Sequence, residues 1–257
     1  MSAARSSLAL ASLVFMLSAA RAEAGRSVCW VQNGVLLVPA VAAGVNGVFI
    51  LDTGAAHSQL DATQASEVDI GDAATMADIH VAGRTFPAVP MRVIALDDRT
   101  RAFPTPIAGV LGADILVGQV LEVRMSPCRL NLSPSRPGSR RGLPIEIRGG
   151  VPFVRAAASD GTISVAGAFR IDTGSPAPAM LAGGSVTTPN NRLRALSFGD
   201  RLFENLAAIK RPEDADGAGA IGEPIWSRFD LRLDFCRRIL ALEPVSPRPG
   251  PKGRSPP

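Results

Sequence analysis

The tripeptide Asp-Thr-Gly occurs twice in this chain of 257 residues, at residues 52–54 and 172–174, and this repeat constrains the fold more than any other feature. Each copy ends a mainly apolar run, Val48–Leu51 in the first case and Gly167–Ile171 in the second. Both aspartates are therefore predicted to lie at the ends of buried strands. A single copy is more often a strand-ending turn than a functional site, because aspartate and glycine are common turn residues.

Further segments follow the two tripeptides in the same order. The pairs are Val81–Phe86 and Ser197–Phe203, Gly109–Gly112 and Gly219–Gly222, and Leu121–Leu132 and Phe229–Leu240. The spacing between the copies shrinks gradually along the chain, as small loop deletions in the second copy would produce. This order indicates an internal duplication with two lobes of roughly 100 residues, each large enough to fold compactly.

With these motifs the sequence resembles the aspartic proteases, in the form in which one chain contains two retropepsin-like lobes. In that family each lobe supplies Asp-Thr-Gly on a loop, and a later apolar-apolar-Gly segment passes beneath it. The later segments here are Val110–Gly112 and Ala220–Gly222. The resemblance covers nearly all of residues 27–244. It implies an all-β, bilobal acid-protease fold with two retropepsin-like β-barrel lobes related by internal duplication.

Composition agrees with a β-rich chain, because short apolar runs are interrupted by 25 glycines and 21 prolines. Short helices are predicted directly after each apolar-apolar-Gly segment, at Ala113–Leu116 and Glu223–Trp226. The predicted parts are a signal peptide (1–24), an N-terminal aspartic protease lobe (25–132), a linker (133–144), a C-terminal aspartic protease lobe (145–244) and a disordered Pro/Arg-rich tail (245–257).

The N-terminus predicts export. Arg5, the apolar stretch Leu8–Ala20 and the small residues after it are typical of a secretory signal peptide, cleaved after Ala22 or Ala24. An uncleaved anchor is the alternative, but the apolar stretch is shorter than the roughly 20 residues that span a bilayer. We therefore expect a periplasmic or extracellular protein with no stable membrane span.

Charge and cysteine content limit the partners. The net charge of +4 is concentrated in the linker and the tail and is not interleaved with aromatic residues, so no nucleic-acid partner is expected. Cys29, Cys128 and Cys236 allow at most one intramolecular disulfide, and the sequence does not determine which pair forms it. Their spacing is unlike a zinc site, and no metal or cofactor is expected. The resemblance implies an extended or unfolded polypeptide substrate, and we expect a monomer.

Asp52 and Asp172 are the candidate catalytic residues. Peptide hydrolysis without a metal or a covalent nucleophile needs a base to activate water and an acid to polarise the carbonyl. Two neighbouring carboxyl groups that share one proton supply both, since they cannot both ionise easily.

Four neighbouring residues are predicted to support the two aspartates. In the family that the sequence resembles, the threonines of the tripeptides, here Thr53 and Thr173, bond across to the opposite loop. Gly54 and Gly174 keep the turns free of side chains, and their backbone N–H groups can donate to the aspartates.

Several features depart from the family pattern. Only Ile70–Ile79 and Gly183–Leu193 are available for flaps over the cleft, and the chain contains no tyrosine. Two prolines in Ser175–Pro178 stiffen a stretch that normally continues as a strand. His57 is predicted to be exposed and Trp226 to lie in the core.

The residue after each glycine predicts the pH dependence. Pepsin-like relatives have a hydroxyl residue there, which favours the ionised aspartate, whereas this chain has Ala55 in the first lobe and Ser175 in the second. One donor fewer raises the apparent pKa values of the pair, so we expect activity in mild rather than strong acid.

The leading hypothesis is an aspartic endopeptidase whose water is activated by Asp52 and Asp172. The alternative is a catalytically inactive, aspartic-protease-like peptide-binding module, which the short flaps favour. A secreted structural protein whose aspartates are only turn residues would leave the ordered repeats unexplained.

Overall fold

A computed structural model describes residues 25–71, 74–136, 141–182, 192–210 and 216–245. The predicted signal peptide lies outside these residues, as does all but Val245 of the predicted tail. Within the described ranges no helix is long and apolar enough to cross a membrane.

The described chain is built mainly from strands. In the first half they are β1 (Arg26–Val28), β2 (Trp30–Gln32), β3 (Val35–Ala42), β4 (Val45–Leu51), β5 (Gln59–Asp61), β6 (Thr75–Val81), β7 (Arg84–Ile94), β8 (Ile107–Leu111), β9 (Gln119–Met125) and β10 (Cys128–Pro134). In the second half they are β11 (Leu143–Arg148), β12 (Val151–Ser159), β13 (Ser164–Asp172), β14 (Ala179–Leu181), β15 (Arg192–Phe198), β16 (Arg201–Lys210), β17 (Gly219–Gly222), β18 (Phe229–Asp234) and β19 (Ile239–Pro244).

Helices are short. They are α1 (Ala62–Ser66), α2 (Asp97–Thr100), a 3₁₀ turn at Ala113–Leu116 and α3 (Glu223–Trp226). The last two confirm the helices predicted after the apolar-apolar-Gly segments, and Pro224 lies in the first turn of α3, where its missing N–H costs no hydrogen bond.

The first lobe is a closed barrel of six strands in the order β3-β4-β8-β5-β7-β6, closed by pairing between β3 and β6. The pairs β4–β8 and β5–β7 are parallel, whereas β5 and β8 are antiparallel. Closure leaves no free edge among these six strands, which protects the lobe from edge-to-edge association.

The second lobe repeats this arrangement strand for strand. Its order is β12-β13-β17-β14-β16-β15, closed by pairing between β12 and β15. The pairs β13–β17 and β14–β16 are parallel, and β14 and β17 are antiparallel. The predicted all-β fold with two duplicated barrel lobes is confirmed.

A six-stranded stretch of sheet joins the lobes and continues into the second barrel through the pairing of β11 with β12. It has the order β1-β10-β9-β18-β19-β11, and the pairing of β9 with β18 crosses from one half of the chain to the other. A disulfide between Cys29 and Cys128 ties the chain between β1 and β2 to the first residue of β10, and Cys236 is a free, exposed cysteine. The two lobes therefore share one backbone hydrogen-bonded base.

The core confirms the prediction for Trp226, which is fully buried. Its indole N–H donates to the Ile221 carbonyl at 2.7 Å, so burial leaves no unpaired donor, and its ring packs against Phe198 with centroids 5.3 Å apart. The α3 helix is thereby fixed beneath the second Asp-Thr-Gly loop.

Candidate active site

The parallel strand pairs bring the two predicted aspartates to equivalent positions in the lobes. Asp52 follows β4, and its backbone N–H donates to the Leu111 carbonyl at the end of β8 at 2.9 Å. Asp172 is the last residue of β13 and pairs with Gly222 at the end of β17. Each apolar-apolar-Gly strand therefore supports one Asp-Thr-Gly loop, as the sequence motifs predict.

Thr53 and Thr173 bond reciprocally across the interface between the lobes. The Thr53 N–H donates to Thr173 Oγ1 at 3.1 Å, and the Thr173 N–H donates to Thr53 Oγ1 at 3.2 Å. Each hydroxyl then donates to a carbonyl of the opposite lobe at 2.6 Å, Thr53 to Ile171 and Thr173 to Leu51. All of these groups are buried, so the contacts fix the two loops against each other.

Gly54 and Gly174 bring each aspartate against the opposite loop. A Cβ atom at Gly54 would lie 2.5 Å from Asp172 Cγ, and a Cβ at Gly174 would overlap the Asp52 carboxyl group. The absence of a side chain is therefore what allows the two carboxyl groups to approach. Asp52 and Asp172 form a close pair, which we call the dyad.

Asp52 is surrounded by hydrogen-bond donors. Its Oδ1 accepts from the N–H groups of Gly54 at 2.8 Å and Ala55 at 3.0 Å, and its Oδ2 accepts from Arg99 Nη2 at 2.5 Å. The same Arg99 nitrogen donates to the Gly174 carbonyl at 3.0 Å. Because all three donors favour the charged form, Asp52 is the dyad member suited to remain ionised.

Asp172 has the opposite surroundings. Burial raises the pKa of its carboxyl to about 8, with a further contribution from the charge of Asp52, and the Arg99 and Arg170 cations oppose this rise. The residue keeps some contact with solvent, but its carboxyl lies against the opposite loop, so the effect of burial dominates. Asp172 is therefore the member that holds the proton at neutral pH. The two carboxyls interact closely enough that the pair titrates as a unit.

Sequence reasoning missed three ionisable residues at the site. Arg99, in α2, is the first. Arg170, in β13, donates to the Gly54 carbonyl at 3.0 Å, which mirrors the bond from Arg99 to Gly174 in the other direction. Glu223 is completely buried, and neither carboxyl oxygen has a hydrogen-bond partner among the described residues. Burial, and then the nearby Asp172, raise the pKa of Glu223 well above its ordinary value, so Glu223 is neutral.

The backbone beneath the first loop has a hydrogen-bond network with no counterpart at the second loop among the residues that the structure describes. Ser58 donates through its N–H and hydroxyl to the Asp114 carboxylate, at 2.6 and 2.7 Å, and its hydroxyl accepts from the Gly112 N–H at 3.0 Å. Pro178 stands at the equivalent position in the second lobe, where its carbonyl accepts from the Gly222 N–H at 3.1 Å. Despite its two prolines, the stretch Ser175–Pro178 is followed directly by a strand, β14.

Half of the first-lobe stretch that was available for a flap belongs to the barrel, and residues 72 and 73 of that stretch lie outside the described residues. Residues 75–79 of Ile70–Ile79 belong to β6, which pairs with β7 and with β3 as part of the barrel wall. In the second lobe, 183–191 of Gly183–Leu193 lie outside the described residues, and Leu193 belongs to β15. His57 is exposed, as predicted.

Two predicted donors to Asp172, the Ser175 hydroxyl and the Gly174 N–H, form no hydrogen bond to it among the described residues. The Ser175 hydroxyl lies 3.6 Å from the Met180 sulfur and accepts from the Ala177 N–H, so it is not a donor to Asp172. The Gly54 N–H donates to Asp52 as predicted, whereas no corresponding bond from Gly174 to Asp172 is found among the described residues. The dyad is consequently less symmetric than the repeated motif suggests.

No protein-family model matches this chain, and no curated protein sequence matches it. Among solved structures the chain is similar to the aspartic proteinase from Irpex lacteus, with 14% sequence identity and a TM-score of 0.53. The alignment covers 86% of this chain and 97% of that chain. At this identity the likeness shows the fold, and the bilobal acid-protease fold is confirmed.

Proposed function

We propose that this protein is an aspartic endopeptidase of the two-lobed, retropepsin-like type, with Asp52 as the base and Asp172 as the acid. The observation that carries the proposal is the pairing of two carboxyl groups with opposite surroundings. Three donors favour the anion at Asp52, whereas burial favours the protonated form at Asp172. Two carboxyls in different protonation states are what acid–base hydrolysis of an amide needs.

In the proposed reaction the Asp52 carboxylate removes a proton from a water molecule as that water attacks the scissile carbonyl carbon. Asp172 donates its proton to the carbonyl oxygen, which gives a neutral tetrahedral intermediate and leaves Asp172 charged. Asp52 then protonates the leaving amine nitrogen, the C–N bond breaks, and the proton of the intermediate returns to Asp172. The dyad ends with the one proton that it began with.

Each aspartate is therefore expected to be required for cleavage. Asp52→Asn removes the base and Asp172→Asn removes the acid, and each change is expected to lower kcat by about 10²- to 10⁴-fold. Cleavage of casein and of fluorogenic peptides measures the loss, with circular dichroism to confirm folding. Asp97→Asn, at an exposed aspartate of the same lobe, is the matched control and leaves cleavage unchanged. Full activity in either folded dyad variant would remove the dyad from the mechanism.

The inactive peptide-binding module is retained as the second candidate, because the Arg99 guanidinium donates to Asp52 Oδ2 while the other carboxylate oxygen accepts from two backbone N–H groups. If that contact is permanent, peptides bind but are recovered intact. Calorimetric titration followed by mass spectrometry of the recovered peptide separates the two functions. Turnover that depends on Asp52 supports the enzyme, and tight binding without turnover supports the module.

We also propose that the protein acts after export, in the periplasm or outside the cell. The signal-peptide pattern of residues 1–24 supports this location. The Cys29–Cys128 disulfide also supports it, because disulfides form and persist mainly in oxidising compartments. The expected substrate is an extended or unfolded polypeptide lying across both lobes.

A further inference from the structure

Arg99 donates a hydrogen bond to Asp52 Oδ2, the oxygen that the proposed catalytic water would contact. Its side chain is 34% exposed and that of Asp52 is 6% exposed, so Arg99 is the partner of this ion pair that is more accessible to solvent and to a substrate. The other oxygen, Oδ1, already accepts from two backbone N–H groups. Water therefore reaches the base only when Arg99 turns away from Oδ2 or shares it.

The backbone that carries Arg99 is held on both sides. The Leu96 N–H donates to Asp61 Oδ2 at 3.1 Å, while Asp61 Oδ1 caps the start of α1. Leu96 itself is buried, and the Asn33 side chain donates to the Ala102 carbonyl at 3.0 Å. Because these anchors fix the segment, the movement that frees Asp52 is a rotation of the Arg99 side chain.

Positive charge exceeds negative charge at the dyad. Arg99 and Arg170 both approach it, and both donate to glycine carbonyls of the Asp-Thr-Gly loops. Burial favours the neutral forms of Asp172 and Glu223, whereas three hydrogen-bond donors surround the Asp52 carboxylate and favour its anion. A site with two guanidinium groups and one carboxylate attracts anionic groups.

Neutral and acidic peptide substrates would interact differently with Arg99. A neutral peptide must separate the Arg99–Asp52 ion pair without replacing it, and an unpaired, half-buried cation is unfavourable. A peptide with a carboxylate beside the scissile bond gives the guanidinium a new partner, since arginine pairs well with carboxylates in a fixed geometry. Binding such a peptide therefore exchanges one ion pair for another and leaves Asp52 Oδ2 open to water.

We propose that Arg99 is the specificity-determining residue of the cleft, and that it selects peptides with an aspartate or glutamate side chain next to the scissile bond. The selection rests on the proposed endopeptidase function. It adds a substrate class to that function, namely acidic peptides.

Matched peptides test this role. A parent octapeptide taken from a casein cleavage site is made with glutamate or glutamine at each position flanking the scissile bond. Wild type is expected to cleave the best glutamate peptide about tenfold faster, in kcat/KM, than its glutamine partner at about pH 6, where glutamate is ionised. Arg99→Gln brings this ratio to about one, chiefly by increasing the rate on the glutamine peptide, and Arg99→Lys keeps part of the preference.

Arg101→Gln is the matched control, because Arg101 lies two residues along the chain with a side chain that is 78% exposed and pairs with Asp98. It is expected to retain the wild-type ratio. An Arg99→Gln variant that slows both peptides alike would show a purely structural role and overturn the proposal. An unchanged ratio in Arg99→Gln, or no preference in wild type, would overturn it as well.

The proposed endopeptidase function can be tested independently of the role of Arg99. Cleavage of neither peptide by wild type, or cleavage that survives Asp52→Asn, contradicts the endopeptidase function. Arg99 is then tested by binding to the Asp172→Asn variant, which retains both Arg99 and Asp52. A lower Kd for the glutamate peptide that disappears when Arg99→Gln is added supports recognition of acidic peptides, and equal Kd values overturn it.

Discussion

At the scale of single residues, two aspartates with the same local sequence have different surroundings. Asp52 accepts hydrogen bonds from Gly54, Ala55 and Arg99, whereas Asp172 is enclosed by the opposite loop and lies near a second neutral carboxyl, Glu223. Under the proposed function, this asymmetry makes Asp52 the base and Asp172 the acid. In the proposed turnover the two carboxyls exchange roles at the intermediate. At the end of the cycle each returns to the protonation state that its surroundings favour.

The raised pKa of Asp172 predicts the pH dependence of activity. An acid must hold its proton, so activity is retained through neutral pH and lost as pH rises through about 8. Asp52 and Glu223 are the other carboxyl groups at the dyad, and Arg99 and Arg170 are its cations. The measurement is kcat/KM against pH with a neutral peptide, whose own charge does not change. If kcat/KM already falls with rising pH below about pH 5, this account is contradicted.

The sequence predicted activity in mild rather than strong acid, a lower range than the raised pKa of Asp172 indicates, and the reason for that prediction is not supported by the structure. The missing hydroxyl at Ala55 is replaced by the Arg99 guanidinium on Asp52, and the Ser175 hydroxyl faces Met180. Residues within the repeated motif could be predicted because the motif occurs twice. Arg99 occurs once, far from the motif in sequence, and only tertiary packing brings it to Asp52.

At the scale of secondary-structure elements, the site is made by loops that leave parallel strand pairs and meet closely. The pattern of apolar runs predicted these strands and the short helices after them. It did not predict that β6 closes the barrel, because closure depends on pairing with β3, about 40 residues away in the chain. Half of the stretch that was available for a flap, residues 75–79, is therefore barrel wall.

Because the two Asp-Thr-Gly loops approach closely, Gly54→Ala is expected to lower both activity and stability. The added methyl would lie 2.5 Å from Asp172 Cγ, so the carboxyl must move, and we expect at least a tenfold loss of kcat together with about 1–3 kcal/mol of destabilisation. Kinetics and urea unfolding measure the two effects. Gly71→Ala is the matched control, since none of the residues that the structure describes lies within 4 Å of its Cβ position. Unchanged activity in Gly54→Ala would mean that the dyad is not held this tightly.

At the scale of the whole molecule, two barrels are held together by a sheet that both halves of the chain supply. The order of the repeated segments predicted the two lobes, because equivalent strands in each lobe need equivalent sequence. The pairing of the cysteines could not be predicted in this way, since Cys128 and Cys236 are repeat equivalents and Cys29 has no counterpart in the motif. Geometry decides the pairing, with Cα atoms of Cys29 and Cys128 5.0 Å apart.

The disulfide is expected to stabilise the base of the molecule rather than the site. It joins residues separated by 99 positions, so in the unfolded chain it closes a long loop, for which a loss of about 2–5 kcal/mol on removal is typical. A Cys29→Ser/Cys128→Ser double variant is expected to unfold at lower urea concentration, while kcat/KM well below the transition stays near wild type because neither cysteine contacts the dyad. Cys236→Ser, at an exposed free thiol, is the matched control and leaves both quantities unchanged. A double variant with wild-type stability would show that the sheet between the lobes holds the base without the covalent link, and a loss of activity at full stability would couple that base to the dyad.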